Sequence, residues 1–263
     1  MRKPKTMYVD VHCHLSFPEF DGDRDAVIRQ MIREDISLLV DPGIDLETSR
    51  KSIALAAAHP MIHANVGLHP HETSHPLPET IFDELAELAS SPKVVAIGET
   101  GLDYHYPDCD RARQQEAFRA MLQISEKLDL PVVIHCRDAW DDLLAILEEE
   151  KHSSQRGVMH CFSGDCAIAR RCIRLGFMLS IPGTVTYKRS LLPDVIREVP
   201  IEHLLTETDS PYLSPVPFRG KRNNPSNVRL VTEAIAEIKK TGLKETANRI
   251  AENASAMFRL ERF

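Results

Sequence analysis

The chain has 263 residues, 43% of them hydrophobic, enough to bury a core at the upper end of what one domain holds, so a single domain over residues 1–263 is expected. With 32 basic against 39 acidic side chains the net charge is −7, which excludes a global electrostatic footprint for nucleic acid or an anionic membrane; any phosphate contact has to be local. No apolar run approaches the roughly 20 residues of a membrane span, and the basic Met1–Thr6 precedes too short an apolar stretch for a signal peptide, so a cytoplasmic monomer with no membrane partner is expected.

Eight short apolar runs follow one another, beginning near Tyr8, Ser37, Met61, Lys93, Pro131, Gly157, Phe177 and His203. Between and after them, helical spacing is legible over Asp25–Glu34, Ile81–Ala89, Arg111–Leu128, Asp138–Glu150, Ser226–Lys240 and Lys244–Phe258. The acidic Glu148-Glu149-Glu150, followed by Lys151, reads as a solvated helix end. Gly242 is the expected stop of the penultimate helix. Runs such as Val94-Val95-Ala96-Ile97 and Val132-Val133-Ile134 are apolar at successive positions, which demands burial on both faces, as in a parallel sheet covered by helices. The expected architecture is therefore an α/β (β/α)8 TIM barrel with an additional C-terminal helix. The Pro- and Gly-rich Ser210–Pro225 falls where a loop over the barrel's C-terminal mouth belongs.

Polar residues able to bind metal fall at the downstream ends of these runs. They are His12 and His14 after the first, Glu99 after Val94–Gly98, His135 after Val132–Ile134, His160 after Gly157–Met159, and Asp209 after Leu204–Thr208. In a barrel those ends meet at one mouth. Four imidazoles and two carboxylates exceed the needs of one tetrahedral ion and suit two divalent cations, Mg, Mn or Zn. Glu99 is the natural bridge, because a carboxylate has two oxygens and a neutral imidazole offers one nitrogen. Asp209 can ligate and also handle a proton.

The six cysteines form no CxxC pair and read as reduced thiols. Strand alternation turns Cys13, Cys136 and Cys161, each beside a site histidine, towards the helix layer. Glu207 shares a face with Asp209 and reads as its support. His69, with His71 beyond it, ends another run and lines the same mouth as a supporting or substrate-binding group. Tyr104 and His105 follow Glu99, and Arg137, Arg219, Lys221 and Arg222 supply cations suited to phosphate, with Tyr104 or Phe218 available to stack a base.

These stretches resemble the TatD-like metal-dependent deoxyribonucleases of the amidohydrolase superfamily. The resemblance rests on Asp10-Val11-His12-Cys13-His14-Leu15, Gly67-Leu68-His69-Pro70, Ile97-Gly98-Glu99-Thr100-Gly101-Leu102-Asp103, Pro131-Val132-Val133-Ile134-His135, His160-Cys161-Phe162-Ser163-Gly164 and Glu207-Thr208-Asp209-Ser210-Pro211-Tyr212. It implies an amidohydrolase-like barrel in which His12, His14, Glu99 and Asp209 hold one metal and Glu99, His135 and His160 the other. It further implies hydrolysis of DNA phosphodiesters, with 3′-5′ trimming of single strands favoured, or alternatively cleavage of D-aminoacyl-tRNA or another ester or amide. Two positions depart from the family pattern: Ser16 stands where an aspartate often follows HxHL, and Phe218 stands where the Pro-x-Pro-His-Arg-Gly loop carries histidine.

Overall fold

The computed structural model describes residues 6–150, 152 and 155–261; Met1–Lys5 of the basic N-terminal stretch and Lys151 lie outside them. Eight parallel strands make one sheet in sequence order: β1 Tyr8–Asp10, β2 Ile36–Pro42, β3 Ile62–Val66, β4 Val94–Asp103, β5 Val132–Arg137, β6 Gly157–Met159, β7 Phe177–Ile181 and β8 Leu204–Thr206. Each starts within a residue of its expected apolar run. The circle is nearly closed, with the Val11 amide donating to the Thr206 carbonyl at 3.0 Å and the Thr206 hydroxyl to the Val9 carbonyl at 2.8 Å.

The outer layer is α1 Arg24–Arg33, α2 Leu46–Ala58, α3 Ile81–Ala89, α4 Arg111–Leu128, α5 Trp140–Glu149, α6 Cys166–Arg174, α7 Leu192–Glu198 and α8 Val228–Lys239, followed by the additional α9 Leu243–Phe258. Val132, Val133 and Ile134 are all buried, as a strand covered on both sides requires. Fully buried Phe118, Phe162 and Phe177 fill the interface of sheet and helices, each contributing roughly 1.5–3 kcal/mol of transfer free energy.

The stretches of helical spacing named from the sequence do not include α2, α6 and α7. The buried face of α2 is Ser49, Ser52 and Ala56, which carries no strong apolar stripe; the helix is held at its start by a reciprocal cap between Asp45 and Thr48. α6 likewise begins on Asp165, whose carboxylate accepts from the Ile168 amide at 2.9 Å. The stop between α8 and α9 also differs from expectation. Lys240 takes the left-handed conformation at φ 55°, and Gly242 opens α9 at φ −68°.

Candidate metal centre

The histidines of the first run lie just beyond β1, where the chain continues alongside the segment leaving β8. The Asp209 amide donates to the His12 carbonyl and the His14 amide to the Ser210 carbonyl, both at 2.9 Å, so the backbone itself sets Asp209 beside His14. Asp10 faces this junction, not the mouth. Its carboxylate takes the Thr208 amide at 2.9 Å, the Thr208 hydroxyl at 2.6 Å and the His12 amide at 3.3 Å. Complete burial raises its pKa well above the usual value, and these bonds only partly offset that.

Glu99 stands inside β4 and not at its end, because the strand runs on to Asp103 through a break in register between Ile97 and Thr100. Alternation then puts Glu99, Gly101 and Asp103 on one face. Gly101, at φ 141°, lets the His135 backbone lie against β4, where a Cβ would collide with the His135 carbonyl.

The two oxygens of Glu99 divide the imidazoles into two groups. Oε2 faces His12 Nε2 at 3.2 Å and His14 Nε2 at 3.7 Å. Oε1 faces His135 Nδ1 at 3.1 Å, His69 Nε2 at 3.5 Å and His160 Nε2 at 3.6 Å. Asp209 Oδ1 lies 3.5 Å from His14 Nε2 and 3.9 Å from His160 Nε2. All six predicted residues, with His69, thus converge on one mouth cavity of about 740 Å³, beneath which His12 is wholly buried.

This donor set fits divalent cations. Two ligands on one ion with bonds of about 2.0–2.2 Å stand roughly 3–3.5 Å apart, and His12 Nε2 and His14 Nε2 face each other at 3.3 Å. Buried nitrogens so placed repel if both are protonated or both are bare, a conflict that a shared cation resolves. The groups His12–His14–Asp209, His12–Glu99–His160 and His69–Glu99–His135 each bring ligand atoms close enough for one ion.

Two imidazoles are oriented by carboxylates and two by ring packing. Glu207 Oε2 meets His160 Nδ1 at 3.0 Å while Oε1 accepts the Cys161 amide at 2.8 Å, and Asp103 Oδ2 meets His135 Nε2 at 3.1 Å. His12 stacks on His160 with ring centroids 3.5 Å apart, and His14 lies 4.4 Å from the Phe17 ring. Burial would lower the His160 pKa, but the charges of Glu207 and Glu99 outweigh it and push it up to about 10. Burial likewise opposes ionisation of Glu99 and Asp209, yet the surrounding histidines hold both carboxyls below their usual range. His69, with burial dominant, falls to about 3 and stays neutral.

Several expectations are corrected. Cys13 is buried in the core as expected, whereas Cys136, packed in the core, also touches the mouth cavity, and Cys161 lines it, its left-handed backbone at φ 45° breaking the alternation just past β6. Tyr104 lies outside the cavity: its hydroxyl donates to Asp142 at 2.9 Å and Arg111 covers its ring at 4.5 Å, fastening α4 to α5. His105 bonds Asp138 at 3.0 Å instead. Arg222 is bound to Asp23 and the Glu19 carbonyl, away from the cavity, and Phe218 lines neither cavity wall. Arg137 and His71 do line the mouth, and Arg219 lines an adjoining cavity. Residues not anticipated there are Phe17, Tyr106, Tyr212 and Asp103, which also bonds His71 Nε2 at 3.0 Å. Asp103 was within reach of strand alternation, four positions beyond Glu99.

A family model described as TatD related DNase matches residues 9–259. The chain is 40% identical over 255 residues to the uncharacterized metal-dependent hydrolase YabD of Bacillus subtilis, covering 97% of this chain and all of that one. It is 33% identical over 233 residues to the 3′-5′ ssDNA/RNA exonuclease TatD of Salmonella typhimurium, covering 86% and 89% of the two chains. Among solved structures, the TatD homologue YjjV of Escherichia coli superposes with a TM-score of 0.91 at 31% identity, covering 97% of this chain and 98% of that one. With these likenesses spanning the whole barrel and its mouth, the chain belongs to the TatD family of metal-dependent hydrolases.

Proposed function

We propose that this protein hydrolyses phosphodiester bonds of single-stranded DNA, trimming from the 3′ end, with two divalent cations per chain. The division of the imidazoles between the two oxygens of Glu99 carries the reading. His12, His14, Glu99 and Asp209 would hold one cation, and Glu99, His135 and His160 the other. The nitrogen-rich set suits Zn or Mn, while Mg remains the alternative for a phosphodiester substrate. When bound, such cations supply a water of lowered pKa and neutralise charge on the phosphate.

The chain's own groups do the rest. Asp209, held ionised by the surrounding histidines, orients the attacking water and takes its proton. Glu207 and Asp103 keep the rings of His160 and His135 in place. Arg137, at the rim with its guanidinium 5.9 Å from the Tyr106 ring, meets the non-bridging oxygens. Tyr106 and Tyr212, about half exposed in the cavity wall, offer faces for a terminal base. The 33% identity to a protein named as a 3′-5′ ssDNA/RNA exonuclease supports the choice of substrate.

The test is a metal-supplemented comparison of single-stranded DNA, RNA, aminoacyl-tRNA and a simple phosphodiester, with Glu99→Ala and His135→Ala as controls and bound metal counted by elemental analysis. Wild-type protein is expected to carry two ions and degrade single-stranded DNA, and Glu99→Ala to lose both properties. Full residual activity in Glu99→Ala, or turnover of the aminoacyl ester alone, overturns the reading.

A further inference from the structure

Beside the metal centre lies a second cavity of about 660 Å³, formed by the loops that follow β6, β7 and β8. Its size lies within the roughly 300–1,000 Å³ of ligand sites. Cys161, Ser163 and Leu213 line both cavities, so a ligand can run from one into the other across this shared wall. Their charges are opposed. The metal centre is walled by Glu72, Glu99, Asp103 and Asp209, whereas no acidic side chain lines the second cavity, which instead presents Lys188, Arg189 and Arg219. Among the described residues none of these three cations has an ion-pair partner, while Arg119, Arg170, Arg222 and Arg259 elsewhere on the surface are each paired to a carboxylate. In a protein of net charge −7, three unneutralised cations in one concavity are a placed feature.

The cavity also has an apolar platform. The Tyr187 hydroxyl donates to the Ser214 carbonyl at 2.8 Å, fixing the ring, and the Arg219 guanidinium lies 4.6 Å from the ring centroid. Leu191, 62% exposed, stands beside it. Cations beside an aromatic ring suit the phosphate and base of one nucleotide.

Resting on the nuclease reading above, we infer that this second cavity is a subsite for the nucleotide next to the scissile phosphate. Lys188 and Arg189 meet its phosphate, and Tyr187 with Leu191 supports its base. The enzyme therefore selects strands with at least two phosphates over single-phosphate esters.

The test uses the metal-loaded enzyme and the Lys188→Ala/Arg189→Ala double variant on bis(p-nitrophenyl) phosphate and on oligothymidylates of two to six nucleotides. The variant is expected to lose about tenfold in kcat/KM on the longer strands, mainly through KM, and less than twofold on the single-phosphate ester. For a hydrolysis-resistant phosphorothioate strand, the plot of log affinity against log salt flattens by about 0.7, the value for one neutralised phosphate on a single strand. A neutral methylphosphonate at the neighbouring linkage reproduces the loss in wild type and adds nothing in the variant. Equal losses on both substrates, or unchanged strand binding and kinetics, overturn the subsite. If no phosphodiester is hydrolysed yet strand binding still depends on Lys188 and Arg189, the nuclease reading fails and the subsite stands.

Discussion

Glu207→Gln tests how the metal centre is held together. Glu207 is fully buried and uses both oxygens, one on the Cys161 amide at 2.8 Å and one on His160 Nδ1 at 3.0 Å. Glutamine has the same shape, but one of its two ends becomes a donor. The Cys161 amide can only donate, so the new carbonyl oxygen must face it and the new NH2 must face His160 Nδ1. In the neutral ring that a ligand must be, this forces Nδ1 to accept and moves the one ring proton to Nε2, the atom aimed at Glu99 and Asp209. Turning the amide over instead sets two donors against each other in a dry site, at a cost of about 1–3 kcal/mol.

Either outcome weakens a ligand. The expected loss is about 10–100-fold in metal affinity, equivalent to roughly 1.4–2.7 kcal/mol. Competition against a chromogenic chelator measures it, with a thermal melt to check the fold and histidine NMR to read the His160 tautomer. Activity is expected to return in part at high metal concentration, because no ligand has been deleted. Metal affinity within twofold of wild type, with the ring proton still on Nδ1 in the metal-loaded variant, refutes the argument.

Arg222→Ala is expected to leave kcat/KM on single-stranded DNA unchanged, because the side chain is committed to Asp23 and the Glu19 carbonyl outside the cavity. The pair is more than a third exposed on both sides, so solvent screening limits the stability loss to about 0–1 kcal/mol in urea titration; a large kinetic defect contradicts this placement. Metal uptake at pH 7 is expected to release at least one proton. The folded His160 pKa stands near 10, above the ordinary 6.5, so the ring is charged at neutral pH and must lose its proton to ligate. Affinity then rises with pH, about tenfold per unit for one proton, between neutrality and about pH 10. Calorimetry in buffers of different ionisation enthalpy reads the release, and identical heats in all of them contradict it.

The barrel and the candidate metal ligands are legible in the chain because both follow from local pattern. Strands buried on two faces need uninterrupted apolar runs, and a parallel barrel brings the downstream ends of those runs to one mouth. The spacing of His12, His14, His135, His160 and Asp209 along the chain therefore places them together at that mouth. The buried face of α2, formed by Ser49, Ser52 and Ala56, carries no apolar stripe for helical spacing to reveal.

Sequence pattern and structure part where backbone conformation, not residue type, sets direction. Cys161 faces the mouth because one left-handed residue resets the alternation, and Glu99 lies within β4 because a register break lets the strand continue past it. Tyr104 and Arg222 have the right chemistry for substrate but were claimed by Asp142 and Asp23, partners 38 and 199 positions away.

Composition and periodicity thus determined the architecture and which groups were available for chemistry, since burial and ligand type are properties of residues and their spacing. Only the tertiary structure decided how Glu99 divides the imidazoles, that Asp103 and Glu207 hold the His135 and His160 rings, and which cations among the described residues stay unpaired beside the mouth. Those outcomes depend on distances between groups far apart in the chain, and sequence spacing carries no measure of them.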